Sequence, residues 1–468
     1  MHSELIPSEA EIFAWIEKIF AQGVRRPGYS ADRWTENWCE QQFRLLGLES
    51  VRRQPVKLPQ WEPLECSLLV QAQGSDWSVP CFPLPHSAPT QGLRVEIEAW
   101  SDDETRSLAG KAALVDVSLN RVPPAFTNLL LARREEFAGE DLAWRCYDPR
   151  RSFDDAVQVL PFGRHVMAVM EPAIAAGAVA FVGTLSNYPG GSFKYYVPYD
   201  AQPRPIPGVW ISARDGERLR QLCRDERVRI MLVSRAVRRE ISTDNVIGEL
   251  PGADDEIVVI GSHHDGPWSS AVEDASGVAL VMAQAQYWSR VPAAARPHHL
   301  LFLLNAGHMA GGAGVRAFVD QQRALLERVV LEVHLEHAAN EVIERDGELV
   351  CSGNPEPRWW FTSCSPHLET AVRDAITSED LERSLIVPPD IFGPMPTTDG
   401  GPFHLAGVPL VNFLTAPFYL FDEMDTLDKI HRPSLVPITR AAVRIVESTL
   451  GLSAATVRAE MRRSADGG

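Results

Sequence analysis

EIVVIGSHHD (256–265) is an apolar, β-branched run that stops on two imidazoles and a carboxylate. An apolar run of this length reads as a strand buried on both faces. Outward from it the texture alternates. ASGVALVMAQAQYW (275–288) reads as a helix, HLLFLLNAG (299–307) as a strand and VRAFVDQQRALL (315–326) as a helix. RVVLEVHLEHAA (328–339) and PLVNFLTAP (409–417) read as strands, and Ile438, Ala442, Ile445 and Val446 mark a last amphipathic helix. This alternation predicts an α/β fold with a mostly parallel central sheet flanked by helices.

In open α/β sheets ligands bind beyond the carboxyl ends of the strands. Those ends carry His263, His264 and Asp265, then Asn305 and His308, then His334, Glu336 and His337, with Glu273 and Asp274 ahead of the first helix. Imidazoles and carboxylates are metal-ligating groups. One histidine at a strand end is usually structural. Three clusters at three consecutive strand ends point instead to a metal site.

Upstream, Ser8 and Glu11 form a capping-box pattern ahead of Ile12, Phe13 and Ile16. A second helix is expected from about 30 to 46, with Trp34, Trp38 and Leu45 on one face and Gly47 at its stop. Residues 62–240 have a different texture: short β-rich runs (LECSLLVQA, KAALVDVS, AVAFVG, RIMLVS) punctuated by Pro and Gly, with a long insertion at about 120–165. The expected organisation is a catalytic domain from 1–61 and 241–452, an inserted domain at 62–240, and a tail at 453–468. The tail reads as a frayed helix ending in disordered SADGG.

The chain has 468 residues, room for roughly three domain-sized units. A formal net charge of −17 argues against a nucleic-acid binder that works by general basicity. Seven scattered cysteines without a C-x-x-C pair imply neither a disulfide framework nor a zinc knuckle. MHSELIPSEAEIF has no basic-then-apolar leader pattern, and no apolar run reaches the ~18 residues of a membrane span. The expectation is a cytoplasmic protein that uses neither membrane nor nucleic acid. A homo-oligomer is compatible with the sequence.

GSHHD followed by EDASGVA resembles the H-x-D … D-x-A-S-G segment of the co-catalytic zinc aminopeptidase and glutamate carboxypeptidase-like metallopeptidases. NVIGELPGADDEIVVIGSHHD resembles that family's lead-in strand, GVRRPGYSADRW its N-terminal G-x-R-x-x-G segment, and DTLDKI the segment after its last metal-binding histidine. GKAALVD, AAGAVAFVG and IPGVWIS look like an inserted, β-rich protease-associated domain. The resemblance implies roles position by position. His263 falls on a metal ligand, and Asp265 on the carboxylate that orients it. Glu273 falls on the metal-bridging aspartate, and Glu336 on a further carboxylate ligand. The family's A-E-E-x-G-L-x-G-S motif falls on 306–314, so its general-base Glu is Gly307 and its second, ligating Glu is His308. The last histidine ligand falls on Phe421, with Asp422 beside it.

By this correspondence one ligand set is complete (His263, Glu273, Glu336) and the other has lost a member. The resemblance implies a single divalent ion, with His308 as a fourth ligand. Zn²⁺ is the first choice and Mn²⁺ or Fe²⁺ the others. The implied activity is hydrolysis of a small peptide or amide at a rebuilt site without the usual base. His308, His264, His337 and Asp422 are the candidates to replace it, and Asp265 keeps its supporting place. The alternatives are a non-catalytic, peptidase-like binding protein and a non-hydrolytic metal enzyme. Lys194, Tyr195, Tyr196 and Tyr199 read as an ordinary aromatic loop, with a cover over the active site as the alternative. His404 offers a ligand, a proton or a structural contact. The Gly-rich 310–314 stretch lacks phosphate-loop spacing and reads as tight helix packing.

Overall fold

The computed structural model describes residues 1–461 except 73, 102–105, 125, 154–155 and 164–165. Helix Glu9–Phe20 begins at the expected capping box: Ser8 Oγ accepts from the Glu11 amide, and Glu11 Oε2 accepts from the Ser8 amide. Helix Ser30–Leu45 follows and ends before Gly47, whose φ of +78° is ordinary for glycine and costly for other residues.

The protein is mixed α/β. The buried strand Ile257–His263 lies between His299–Asn305 and Val329–Leu335, parallel to both, and Leu410–Thr415 extends the parallel set. Arg358–Thr362 then runs antiparallel, and Ser384–Val387 is parallel to it. Every residue of the first, third and fourth of these parallel strands is buried, because helices cover both faces. Gly277–Arg290 and Leu435–Glu447 pack on one side with the N-terminal helix, and Ala313–Gln321 lies on the other.

Two long strands, Glu49–Ala72 and Val228–Leu250, pair antiparallel along nearly their whole length, from Glu49↔Glu249 to Gln71↔Arg229. One end of this ribbon joins the main sheet through His299–Asn305. The other joins Thr90–Ala99, which leads to the parallel strands Ala112–Val117, Ala180–Leu185 and Gly208–Ile211. The ribbon is continuous across 61/62 and 240/241, since Glu62 pairs with Val237. Helices Val166–Ala175 and Ala213–Asp225 pack within the 62–240 segment. A two-residue strand, Cys146–Tyr147, leaves it to pair with Ser384–Val387 at the edge of the main sheet.

The helix Ala454–Glu460 is docked rather than frayed. Ala454 and Val457 are buried, and Arg458 donates to the carbonyls of Leu326, Glu327 and Gly407. SADGG lies outside the described residues. Among the described residues no helix is long and apolar enough to cross a membrane.

Candidate metal centre

The strand ends converge. His263 closes its strand, and Glu273 lies in the turn before Gly277–Arg290. His308 opens the single turn His308–Ala310, and Glu336 and His337 follow Val329–Leu335 directly. All five side chains are buried. His263 Nε2 is 3.4 Å and His308 Nε2 3.8 Å from Glu273 Oε1. His337 Nε2 is 2.6 Å from Glu273 Oε2 and 3.9 Å from Glu336 Oε2. The rings of His263 and His308 stack at 4.0 Å. His337 has a left-handed backbone, φ +42°, an uncommon conformation for a side chain of this size.

The outer atoms of these groups are tied and the inner ones are bare. His263 Nδ1 lies 3.0 Å from the Asp265 carbonyl, His308 Nδ1 2.8 Å from Asp399 Oδ1, and His337 Nδ1 2.7 Å from the Thr415 carbonyl. Glu336 Oε1 meets His334 Nε2 at 2.9 Å, and His334 Nδ1 meets Glu332 at the same distance. These ties turn the three Nε2 atoms inward. Yet, among the described residues, His263 Nε2, His337 Nε2 and both Glu273 oxygens make no hydrogen bond of acceptable geometry. Buried polar atoms left bare are rare and costly. Ligand atoms about 2.0–2.2 Å from one ion stand about 3–4 Å from each other. The inner atoms have this spacing: His263, His308 and Glu336 form one triple within 4.8 Å, and His263, Glu273 and His337 form another. The donor set fits a divalent ion.

Charge compensates charge here. Burial, with His308, His337 and His334 nearby, holds the His263 imidazole well below its usual range. Burial also opposes charge on His308 and His337. For His308, Asp399, Glu273 and Glu336 outweigh it and push the group up to about 10. For His337, Glu273 and Glu336 do the same, also to about 10. Asp265 is pushed up to about 7 by burial and then by Asp32.

Several expected candidates sit elsewhere. The His264 ring faces away, with Nδ1 2.8 Å from Asp32 and Nε2 3.0 Å from the Asp244 carbonyl, so neither nitrogen is available to a substrate. Asp265 accepts the amides of His308 and Met309 at 3.0 and 2.8 Å. It therefore braces that turn with its carboxylate, while His263 Nδ1 lies 3.0 Å from its carbonyl and 3.9 Å from its Oδ1. Asp422 accepts from the Tyr188 hydroxyl and lines neither cavity at the cluster. His404 lines neither cavity. Phe421 packs against Tyr199 at 4.9 Å. Gly307 has φ +70°, and a Cβ there would meet Leu58 Cδ2 at 2.6 Å. The Leu58 side chain of the long ribbon strand therefore packs against this glycine. Tyr199 exceeds its expectation as an ordinary loop residue, stacking on His308 at 5.4 Å.

Other supporting residues escape a reading of the strand ends. Arg25 donates to the carbonyls of His264, Ser269, Ser270 and Glu273, fixing the loop between His263 and Glu273. Asp425 accepts the amides of Val272 and Glu273 at 2.8 and 2.9 Å. Both lie in segments that carry the family resemblance, GVRRPG and DTLDKI, which was the available signal. Asp399 and Glu332 have no such signal.

Two cavities open at the cluster. The smaller, about 340 Å³, is lined by Glu273, His308, Glu336 and His337 and walled by Trp359, Phe361, Phe392 and Phe421. Asn120 and Leu160 of the 62–240 segment reach it. The larger, about 580 Å³, shares His308, Phe392, Thr397 and Thr398 with it and adds Tyr199, Asp200, Arg316 and Asp399. A still larger groove, about 790 Å³, runs past Arg323 and Leu405 and touches none of the five cluster residues.

The large central sheet flanked by helices matches the α/β fold of zinc aminopeptidases. Residues 245–446 match the family model of Peptidase family M28. Over 97% of this chain and 95% of the other, the structure is similar to a Peptidase M28 precursor from Shewanella amazonensis, with a TM-score of 0.70 and 20% identity. It is also similar to BSAP, a zinc aminopeptidase from Bacillus subtilis, over 98% and 100% of the two chains (TM-score 0.65, 16% identity). An aminopeptidase from Aneurinibacillus sp. strain AM-1 is similar over 96% and 95% (TM-score 0.62, 18% identity). No curated protein matches the sequence.

Proposed function

We propose that the protein is a metal-dependent hydrolase of the peptidase or amidase type, built on one divalent ion held by His263, Glu273, His308, Glu336 and His337. The observation that carries this is the contrast between bare inner atoms and tied outer atoms. His337, which the sequence offered as a candidate base, enters the set as a ligand of the same ion through its place beside Glu273 and His263. An ion held there, Zn²⁺ first and Mn²⁺ or Fe²⁺ otherwise, would polarise an amide carbonyl and acidify a water molecule. The chain's own contributions are the ties that aim the ligands, and the 62–240 segment, which roofs the site through Tyr199, Asn120 and Leu160. In the reaction, water oxygen bonds to the acyl carbon, the C–N bond breaks, and the amine leaves with a proton.

Among the described residues lining the smaller cavity, the only strong proton acceptors are the proposed ligands themselves. A general acid–base group typically supplies about 10²–10⁴-fold in rate, so turnover on unblocked dipeptides is expected to fall well below the usual median of about 10 per second. The filled space beside Gly307 also favours a second reading, a peptidase-like protein that binds without hydrolysing. The test is elemental analysis of untagged protein after dialysis, joined to steady-state kinetics on dipeptides and aminoacyl anilides. About one ion per chain with slow hydrolysis supports the first reading, and one ion with no hydrolysis supports the second. Two equivalent ions, or none after reconstitution, overturns the site.

A further inference from the structure

The charges lining the two cavities at the cluster are unequally spent. Each carboxylate has a histidine or arginine nitrogen within 2.9 Å, although both Glu273 oxygens and Asp399 Oδ2 make no hydrogen bond among the described residues. Glu273 faces His337 at 2.6 Å, Glu336 faces His334 at 2.9 Å, Asp399 faces His308 at 2.8 Å, and Asp200 faces Arg204 at 2.5 Å. Arg316 is the exception on the cationic side. It is exposed, lines the 580 Å³ cavity, and has no ion pair among the described residues. These cavities thus present one arginine without an ion pair and, among the described lining residues, no carboxylate without a histidine or arginine nitrogen within 2.9 Å. The 340 Å³ cavity has no charged lining residue, among those described, outside the proposed ligands. Its wall is aromatic, with Trp359 and Phe392 edge to face at 5.4 Å and Phe361 6.3 Å from Phe392. The buried Trp359 indole N–H has no partner.

From this we infer the substrate class, resting on the hydrolytic reading above: an N-acylated amino acid, or the carboxy-terminal residue of a peptide, with an apolar or aromatic side chain. A free ammonium beside three imidazoles and a divalent ion would lose its water without finding a counter-charge, which is costly. An acylated nitrogen carries no charge and avoids that cost. A carboxylate reaching the 580 Å³ cavity meets Arg316, whose fork of donors suits it. The 340 Å³ cavity is near the small end of ligand-pocket sizes and holds about one aromatic residue. Hydrolysis of such a substrate adds water across one amide bond: the acyl carbon keeps the hydroxyl, and the amino acid leaves with the proton on its nitrogen.

The test compares three probes by calorimetric titration of the full-length protein, metal-loaded and chelator-treated: N-acetyl-L-phenylalanine, N-acetyl-L-phenylalaninamide and L-phenylalaninamide. N-acetyl-L-phenylalanine is expected to bind at least about tenfold more tightly than L-phenylalaninamide. Arg316→Ala should remove its advantage over N-acetyl-L-phenylalaninamide while leaving the latter within about twofold, and Arg316→Lys should restore part of it. Arg316 is exposed, so folding is not at stake. Tighter binding of the free amine, equal weakening of both acetylated probes by Arg316→Ala, or no binding of any probe overturns the inference. Failure of metal binding would overturn the hydrolytic reading alone, because the Arg316-dependent difference is also read in chelator-treated protein.

Discussion

His263 and His264 are neighbours in the chain and belong to clusters of opposite kinds. Both are fully buried beside carboxylates, and both sit in groups whose atoms lie within 4.8 Å of each other. Around His264 the polar atoms are satisfied. Asp32 takes Nδ1 and the Gly28 amide, and Glu36 takes the Thr243 hydroxyl and the Asp244 amide. Around His263 the outer atoms are satisfied and the inner ones are not. A histidine–carboxylate cluster is therefore not a metal site by composition. Unpaired atoms aimed at one point make the difference, and a saturated cluster serves as a brace.

The comparison breaks most directly at the ligands. His263→Ala or Glu336→Ala should abolish tight metal retention, read as metal per chain after dialysis. Asp32→Ala, on the other side of the same strand, should leave metal per folded chain unchanged. It should instead cost about 3–5 kcal/mol in denaturant unfolding, the usual penalty for removing one member of a buried pair. If Asp32→Ala lost the metal and kept its stability, the two clusters would have been assigned the wrong way round.

A smaller effect is expected at the ties. Asp399→Asn should weaken metal affinity about 10–100-fold by loosening His308, measured by competition with a chelator. Gly307→Glu sharpens the same point, because a Cβ there would meet Leu58 Cδ2 at 2.6 Å and the backbone has φ +70°. It should lower stability by about 1–3 kcal/mol through overpacking and restore no peptidase activity. Recovery of activity in that variant would show that a base can still be placed there.

The smallest effect concerns a buried carboxyl with neither an ion nor a histidine. Glu356 is buried beside Gln158, and burial pushes it up to about 8 despite that hydrogen bond. A carboxyl raised in the folded state is held neutral there, so its contribution is full below about 4.5 and is lost as pH rises through about 8. Glu356→Gln should therefore raise the thermal midpoint above pH 8 and leave it nearly unchanged at pH 4. The gain is on the order of 1 °C per kcal/mol for a chain of this length, from about 2.1 cal/mol/K per residue. A midpoint that moves equally at both pH values would place the cause outside this carboxyl's charge.

The strand–helix alternation after residue 256 and the chemistry-bearing strand ends were legible because both rest on local period and composition. The expectations of a missing base at Gly307 and a missing ligand at Phe421 rest on residue identity and the resemblance. The two faces of one strand end were not legible. His263 and His264 look alike in sequence, and side chains alternate along a strand, so one joins the ligands and the other the Asp32 brace. His337 follows Glu336, and alternation would send it to the other face. The left-handed backbone at His337 and the Thr415 carbonyl of a strand nearly eighty residues away bring its ring back. Arg25, Asp399 and Asp425 act across separations that no local pattern encodes. Sequence by itself determined which imidazoles and carboxylates stand at which strand ends. Tertiary structure decided which of their atoms are bare, because a hydrogen bond between distant segments is settled only when the chain has packed.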